Sequence, residues 1–290
     1  MRVARAEAPC HPAAALHPIL FHIGGYEVPS YGVMLTLAFA IGITIGRRRA
    51  RARGIDEERV VDACLIALVT SLIGARLLWV VTHAEVFTAP GASWVDAINP
   101  FGTRRVGFSG LSMMGGVVLA TLSGMAYLVW RGLPLLRTTD ALLPSALLGE
   151  GITRIGCFLN GCCYGHPCDA WYCVAFPPGS GAHAAFSGAP VHATQLYASA
   201  LGFAGFLALS ALWRAGRSDG VVTCAFAIWI GAQRLLLDLL RFHDPGTIWL
   251  RVAGVGIPSS SVLSLVLVAA GLGGLAWIAG RRGAPADRPR

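Results

Sequence analysis

The chain has 290 residues, of which 55% are hydrophobic and only 13% charged, with a mean hydropathy of +0.62; this profile excludes a soluble globular domain and implies an integral membrane protein. Its formal charge of +8 rests on arginine alone, and most of those arginines sit in short blocks beside apolar runs, so the basicity reads as membrane topology and excludes nucleic acid as a partner.

In chain order, residues 1–20 carry Arg2 and Arg5 but no sustained apolar core leading to a small-residue cleavage site. No secretory signal is expected, and the first span does the targeting. A spanning helix needs about 20 mostly apolar residues. Seven stretches qualify, at approximately 30–46, 60–82, 110–130, 139–160, 193–213, 220–241 and 258–280. The expected fold is an all-α integral membrane protein with seven transmembrane helices.

The first span ends in RRRARAR (Arg47 to Arg53), and alternation puts Arg59, Arg131, Arg137, Arg214, Arg217, Arg281, Arg282, Arg288 and Arg290 on that same side. Only Arg2, Arg5, Arg104, Arg105 and Arg251 fall in segments on the other. This bias predicts a multi-pass protein of a bacterial inner membrane with its N-terminus outside (periplasmic) and its C-terminus cytoplasmic. The domain organisation follows: an outer segment over 1–29, a seven-span domain over 30–280 and a basic cytoplasmic tail over 281–290. Outer loops at about 83–109 and 161–192 are the only room for extramembrane structure. No internal repeat, low-complexity segment or soluble domain is expected.

Four arginines remain inside spans: Arg76, Arg154, Arg234 and Arg241, all in the outer halves of their helices. An arginine at a helix centre costs roughly 2.5–3.5 kcal/mol on insertion scales, and less near the interface. Arg241, at a helix end, is expected to snorkel. Arg234 lies four residues before Asp238, so the two share a helix face and are expected to pair. Tyr31, Gly115 and Gly116, Asn160, Gly161, His192, Gln195 and Ser259 to Ser261 gather at the same depth. Polar groups from many helices at one level predict a cavity facing the outer leaflet. Guanidinium groups bind phosphate bidentately, which makes an anionic phospholipid headgroup the natural guest.

The stretch Thr153 to His166, TRIGCFLNGCCYGH, adds thiols to that level. Cys157, Cys162, Cys163, Cys168 and Cys173 fall within one short segment at or beyond the outer face. Three chemistries stay open: disulfide bracing, with Cys10 as a sixth partner; metal binding with His166 as an extra ligand, against a spacing that is not the usual zinc pattern; and redox or nucleophilic thiol chemistry, with Arg154 depressing the pKa of Cys157. Cys64 and Cys224, in other spans, are expected to be core residues.

Several stretches together resemble the bacterial phosphatidylglycerol:prolipoprotein diacylglyceryl transferases: HPILFHIG with SYGVM, GARLLWV, SGLSMMGG, TRIGCFLNGCCYG, HATQLY, QRLLLDLLR and SSSVLS. The family signature G-R-x-G-N-F-x-N-x-E-x-x-G is kept at Arg154, Gly156, Phe158, Asn160 and Gly165. It changes at Thr153, Cys157 and Cys162. The resemblance implies transfer of a diacylglyceryl group from phosphatidylglycerol to the lipobox cysteine of a preprolipoprotein, whose signal peptide is the second partner. It implies no metal and no cofactor. Arg154 and Arg234 would flank the headgroup, Asp238 would stand where the family has glutamate, and Tyr31, Arg76, Gly115, Gly116, Gly156, Asn160 and Gly165 would shape the lipid pocket. Met114 occupies the position of a family histidine proposed to activate the acceptor thiol, and a thioether cannot accept a proton at working pH. Asp238, Glu150 and His192 are the candidates to take that role. The competing function is a thiol oxidoreductase or thiol/metal-dependent paralogue on the same scaffold. A transporter fits less well, because the intramembrane charges lie on one side only.

Overall fold

A computed structural model of the protein describes residues 16–24, 26–88, 112–242, 248–252 and 255–283. Cys10, Arg2, Arg5, Arg104, Arg105, Arg288, Arg290 and most of the expected 83–109 connection lie outside the described residues. The chain opens with an antiparallel hairpin, β1 (Ile19–Ile23) and β2 (Tyr26–Pro29). Helices α1 (Ser30–Ala52), α2 (Glu57–Thr82), α3 (Ala84–Thr88), α4 (Met113–Trp130), α5 (Leu135–Leu159), α6 (Gly181–Phe186), α7 (Thr194–Arg214) and α8 (Val221–Asp238) follow. A second hairpin, β3 (Ile248–Val252) and β4 (Val255–Pro258), leads into α9 (Ser259–Gly283).

Among the described residues, α1, α2, α4, α5, α7, α8 and α9 are long and apolar enough to cross a membrane. The expected count of seven is met, and the protein is an all-α, multi-pass membrane protein. The bounds differ in detail. The first helix runs on through the arginine block to Ala52, and the sixth span ends at Asp238. On α2 the exposed residues Leu65, Val69, Ile73, Leu77 and Val81 recur every four positions, one continuous apolar stripe. Water would penalise such a face, whereas hydrocarbon does not.

Lipid offers no hydrophobic drive between helices, so close backbone approach and small residues do the packing. Gly115 of α4 lies against Gly74 of α2, and a Cβ on Gly115 would come within 2.6 Å of the Leu78 Cβ and collide with the Gly74 carbonyl oxygen. Gly116 packs less tightly on Ser71, where a Cβ would meet the carbonyl oxygen at 2.9 Å. Thr70 Oγ1 and Ser123 Oγ, 2.7 Å apart, bond across the same crossing. Overpacking of this kind costs roughly 1–3 kcal/mol. Gly115→Ala is therefore expected to lower the thermal midpoint of the purified protein in detergent clearly, whereas Gly124→Ala, whose Cβ would meet Ala67 at 3.8 Å, leaves it nearly unchanged.

Helix α5 is the hub, packed against α1, α7 and α8. Its Asp140 reaches the start of α8, where Gly220 N (2.8 Å), Thr223 N (2.7 Å) and Thr223 Oγ1 (2.6 Å) all donate to the carboxylate. A carboxylate borrowed from one helix thus caps another, satisfying orphan N–H groups at the positive end of the helix dipole. The tie also sets the register of two parallel helices. Arg154 lies fourteen residues beyond Asp140 and Arg234 fourteen beyond Gly220, so both stand at one level, roughly 21 Å along.

The expectation of no internal repeat is overturned. The two hairpins share one register: Ile19 pairs with Pro29 as Ile248 pairs with Pro258, Phe21 with Val28 as Leu250 with Ile257, and Ile23 with Tyr26 as Val252 with Val255. Both slip at the corresponding place, and both run through Pro-Ser into a long helix. Strands of four and five residues separated by most of the chain carry too few apolar positions to show as a period.

Candidate functional site

One end of the bundle gathers the polar residues singled out in the sequence. On α5, Arg154 Nη2 stands 3.8 Å from Glu150 Oε1, one turn earlier on the same face. On α8, Arg234 Nε is 3.0 Å from Asp238 Oδ1, as their spacing predicts. Glu150 also faces Gln233 and Arg234 across the α5–α8 contact, and Arg154 and Arg234 lie within electrostatic range of each other. The shared register therefore brings the two arginines into one site.

Each hairpin–helix unit contributes the same position to it. Tyr31, the second residue of α1, faces Arg154, Cys157, Cys162 and Cys163. Its counterpart Ser260, the second residue of α9, donates to Asp238 Oδ2 at 2.8 Å, and Ser261 donates to the same oxygen at 2.9 Å. Gly156 permits the approach of α1, since a Cβ there would lie 3.2 Å from the Tyr31 Cα and 3.0 Å from the Met34 Cβ.

Beyond α5 the chain folds back over this end. Asn160 closes the helix, Gly161 (φ +70°) turns the backbone, and Gly165 pairs with Arg241 just past α8. A side chain on Gly165 would meet the Leu240 carbonyl at 2.5 Å and the His192 Cβ at 2.7 Å. Val174, Phe176, Ala182, Val191 and Ala193 give the 161–192 connection a small core of its own. Arg241 is the residue that sequence reasoning missed. Expected to snorkel, it also acts electrostatically on Cys163 and Arg234. The fold-back of Gly165 onto Leu240 sets that direction, and nothing in the local pattern of α8 signals it. Among the described residues it joins Arg154 and Arg234 in a group of three guanidinium groups beside Glu150 and Asp238, and no acid lies within ion-pair distance of Arg241.

The cysteines divide in two. Cys168 and Cys173 are joined by a disulfide inside the folded connection, near His192. Cys157, Cys162 and Cys163 are free thiols whose Sγ atoms all lie within 4.8 Å of one another. Thr194 Oγ1 donates to the Cys163 carbonyl at 2.7 Å and Gln195 Nε2 to the Cys162 carbonyl at 2.8 Å, which fixes the turn. Hydrogen bonds from Cys157 and Cys162, followed by the charges of Arg241 and Arg154, hold the Cys163 thiol below the ordinary thiol range despite its burial. His166, expected beside the cysteines, stacks edge-on against Phe242 instead. Cys64 and Cys224, expected in the core, are only half-buried.

Of the other expected residues, Met114 stands at the start of α4, and Gly115 and Gly116 serve the α2–α4 crossing. Arg76 lies over the ring of Trp79 on its own helix, 5.1 Å from the centroid. His192 Nδ1 is 3.5 Å from the Tyr197 hydroxyl. A cavity of about 220 Å³ lined by Thr44, Arg47, Arg48, Arg51 and Glu57 opens where α1 meets α2, but its arginines Arg47 and Arg51 already pair with Glu57. It lies at the C-terminal end of α1, away from the Arg154 level that Tyr31 faces at the start of the same helix.

The family model for prolipoprotein diacylglyceryl transferase matches residues 18–277. Relatives include the phosphatidylglycerol–prolipoprotein diacylglyceryl transferases of Clostridium tetani, 27% identical over 235 residues (80% of this chain, 88% of the relative), and Clostridium botulinum, 28% identical over 252 residues (87% and 96%). That of Parasynechococcus marenigrum is 28% identical over 277 residues (91% and 95%). With the match running from the first hairpin into the last helix, the chain belongs to the prolipoprotein diacylglyceryl transferase family.

Proposed function

We propose that the protein transfers the diacylglyceryl group of phosphatidylglycerol to the lipobox cysteine of a preprolipoprotein, forming a thioether and releasing glycerol phosphate. The reading sets it in a bacterial inner membrane with the N-terminus and the Arg154 level outside and the tail cytoplasmic, as the arginine bias suggests. The observation that carries it is the convergence of Arg154, Arg234 and Arg241 on one low-dielectric level, forked donors of the kind that hold phosphate oxygens. A phosphodiester supplies those oxygens. As the thiolate attacks the glyceryl carbon, charge grows on the departing phosphate, where arginines stabilise it more than they stabilise the ground state.

In this reading Arg154 and Arg234 hold the phosphate, Tyr31 and Asn160 shape the rim, and Gly156 and Gly165 admit the close approaches that bring the arginines together. Arg76 serves as an outlying headgroup contact, and Gly115 and Gly116 act by holding its helix. A lipid entering sideways from the leaflet stays in the bilayer throughout.

Complementation tests the proposal. Expressed in bacteria depleted of their own transferase, the chain is expected to restore lipidated prolipoprotein on gels. Failure of a protein shown to be inserted and folded would leave only the fold. The free thiol cluster favours a second reading, a membrane thiol oxidoreductase. That reading requires catalysed thiol–disulfide exchange by the purified protein, which the transferase reading does not.

A further inference from the structure

We propose that Cys157, Cys162 and Cys163 form a three-thiolate site for one zinc-class divalent cation, whose open fourth position takes the acceptor thiol. The proposal deepens the transferase reading and rests on it for the identity of that thiol.

The three Sγ atoms lie within 4.8 Å of one another. Tetrahedral zinc with bonds of about 2.3 Å needs sulfurs about 3.8 Å apart, so the site closes with small side-chain adjustments. Cys157 comes from the last turn of α5, while the other two come from the turn after Gly161, where Cys163 holds a left-handed backbone (φ 66°). Bonds from Thr194 and Gln195 to the two carbonyls keep that turn in place. The neighbouring pair Cys168 and Cys173 is bonded as a disulfide, whereas here three thiols converge, one more than a disulfide uses. Three protein ligands with one position left over mark a site that works on a fourth ligand, in contrast to a closed structural site. Three thiolates around a divalent cation leave one negative charge, which Arg154 and Arg241 face, and the Asn160 side chain bonds Cys162.

The site answers a need. Of the carboxylates at this level Asp238 is engaged, accepting from Ser260, Ser261 and Arg234, while Glu150 stands 3.8 Å from Arg154 with its buried Oε2 unpartnered. Coordination removes the requirement for a base. The acceptor thiol loses its proton to water as its sulfur joins the cation. That sulfur then forms the bond to the glyceryl carbon while the carbon–oxygen bond to phosphate breaks, and the electron pair leaves on the phosphate oxygen between Arg154 and Arg234.

The whole chain, purified in detergent under reducing anaerobic conditions, is expected to hold one zinc per molecule. Refilled with Co²⁺, it should show thiolate-to-cobalt charge-transfer absorbance. A cysteine-containing lipobox peptide should change the ligand-field spectrum, and its serine analogue should not. Cys157→Ser, Cys162→Ser and Cys163→Ser are each expected to weaken binding at least 10-fold, with Cys64→Ser and Cys224→Ser unaffected. The wild-type metal count and spectra need no variant to fold. Absence of stoichiometric metal, a disulfide between any two of the three in protein isolated with its thiols blocked, or metal retained by all three variants overturns the proposal. So does a cobalt spectrum indifferent to the peptide. Failure to complement, with metal and peptide response intact, removes the transferase reading and keeps the site. Complementation by the triple serine variant does the reverse.

Discussion

Arg154→Lys is expected to lower diacylglyceryl transfer by about 10²–10³-fold, measured as initial rate in membranes with phosphatidylglycerol and a lipobox peptide. The substitution keeps the positive charge, so a purely electrostatic role would tolerate it. It removes the planar fork, which can grip two phosphate oxygens at once while a third donor faces Glu150. Lysine can serve one of those partners at a time, and the transition state, where charge on the phosphate is greatest, loses most. The loss should therefore appear mainly in kcat. Arg76→Lys gives the contrast. Its guanidinium rests on Trp79, and the expected effect is below tenfold and confined to KM. Equal losses for the two variants would remove the distinction between a phosphate-gripping arginine and an outlying one.

The membrane architecture was legible because a span must be long and apolar, a requirement any sequence displays. The Arg234–Asp238 pair was legible for a similar reason: helix geometry alone puts residues four apart on one face, and the ion pair is there. What the sequence hid depends on segments meeting after the chain returns. Arg241 reads as a snorkelling end residue until Gly165 folds back on Leu240 and turns this stretch toward Cys163. Five cysteines in one segment have many pairings, and only the fold separates a disulfide from a cluster of three. The matching hairpins leave no periodic signal because each is a few residues of backbone pairing. Gly115 and Gly116, taken as part of a lipid pocket, show the converse: glycine admits close approach by lipid or by helix, and here a helix is against them.

Asp238→Ala is expected to destabilise the folded protein by about 3–5 kcal/mol, the cost of leaving a buried charge without its partner. The Asp238 side chain is only 5% exposed, and Arg234 beside it is 20% exposed. Truncation leaves that guanidinium facing Arg154 and Arg241 with Glu150 as its remaining acidic neighbour among the described residues, and strips both Ser260 and Ser261 of their acceptor at the start of α9. Ser260→Ala and Ser261→Ala should each cost roughly 1 kcal/mol, since each removes one hydrogen bond to a charged group that keeps its other donors. Asp238→Asn separates positioning from proton transfer. With at least three donors already on its two oxygens, the carboxylate is poorly placed to accept a proton from a thiol, so this variant should fold at reduced stability and keep kcat within tenfold. Its KM for phosphatidylglycerol should rise as Arg234 loses its anchor, and the acid limb of the pH–rate profile should stay where it is in the parent. A folded Asp238→Asn protein with kcat lowered a thousandfold, or with that limb abolished, would instead make Asp238 the base and return the acceptor thiol to ordinary acid–base activation.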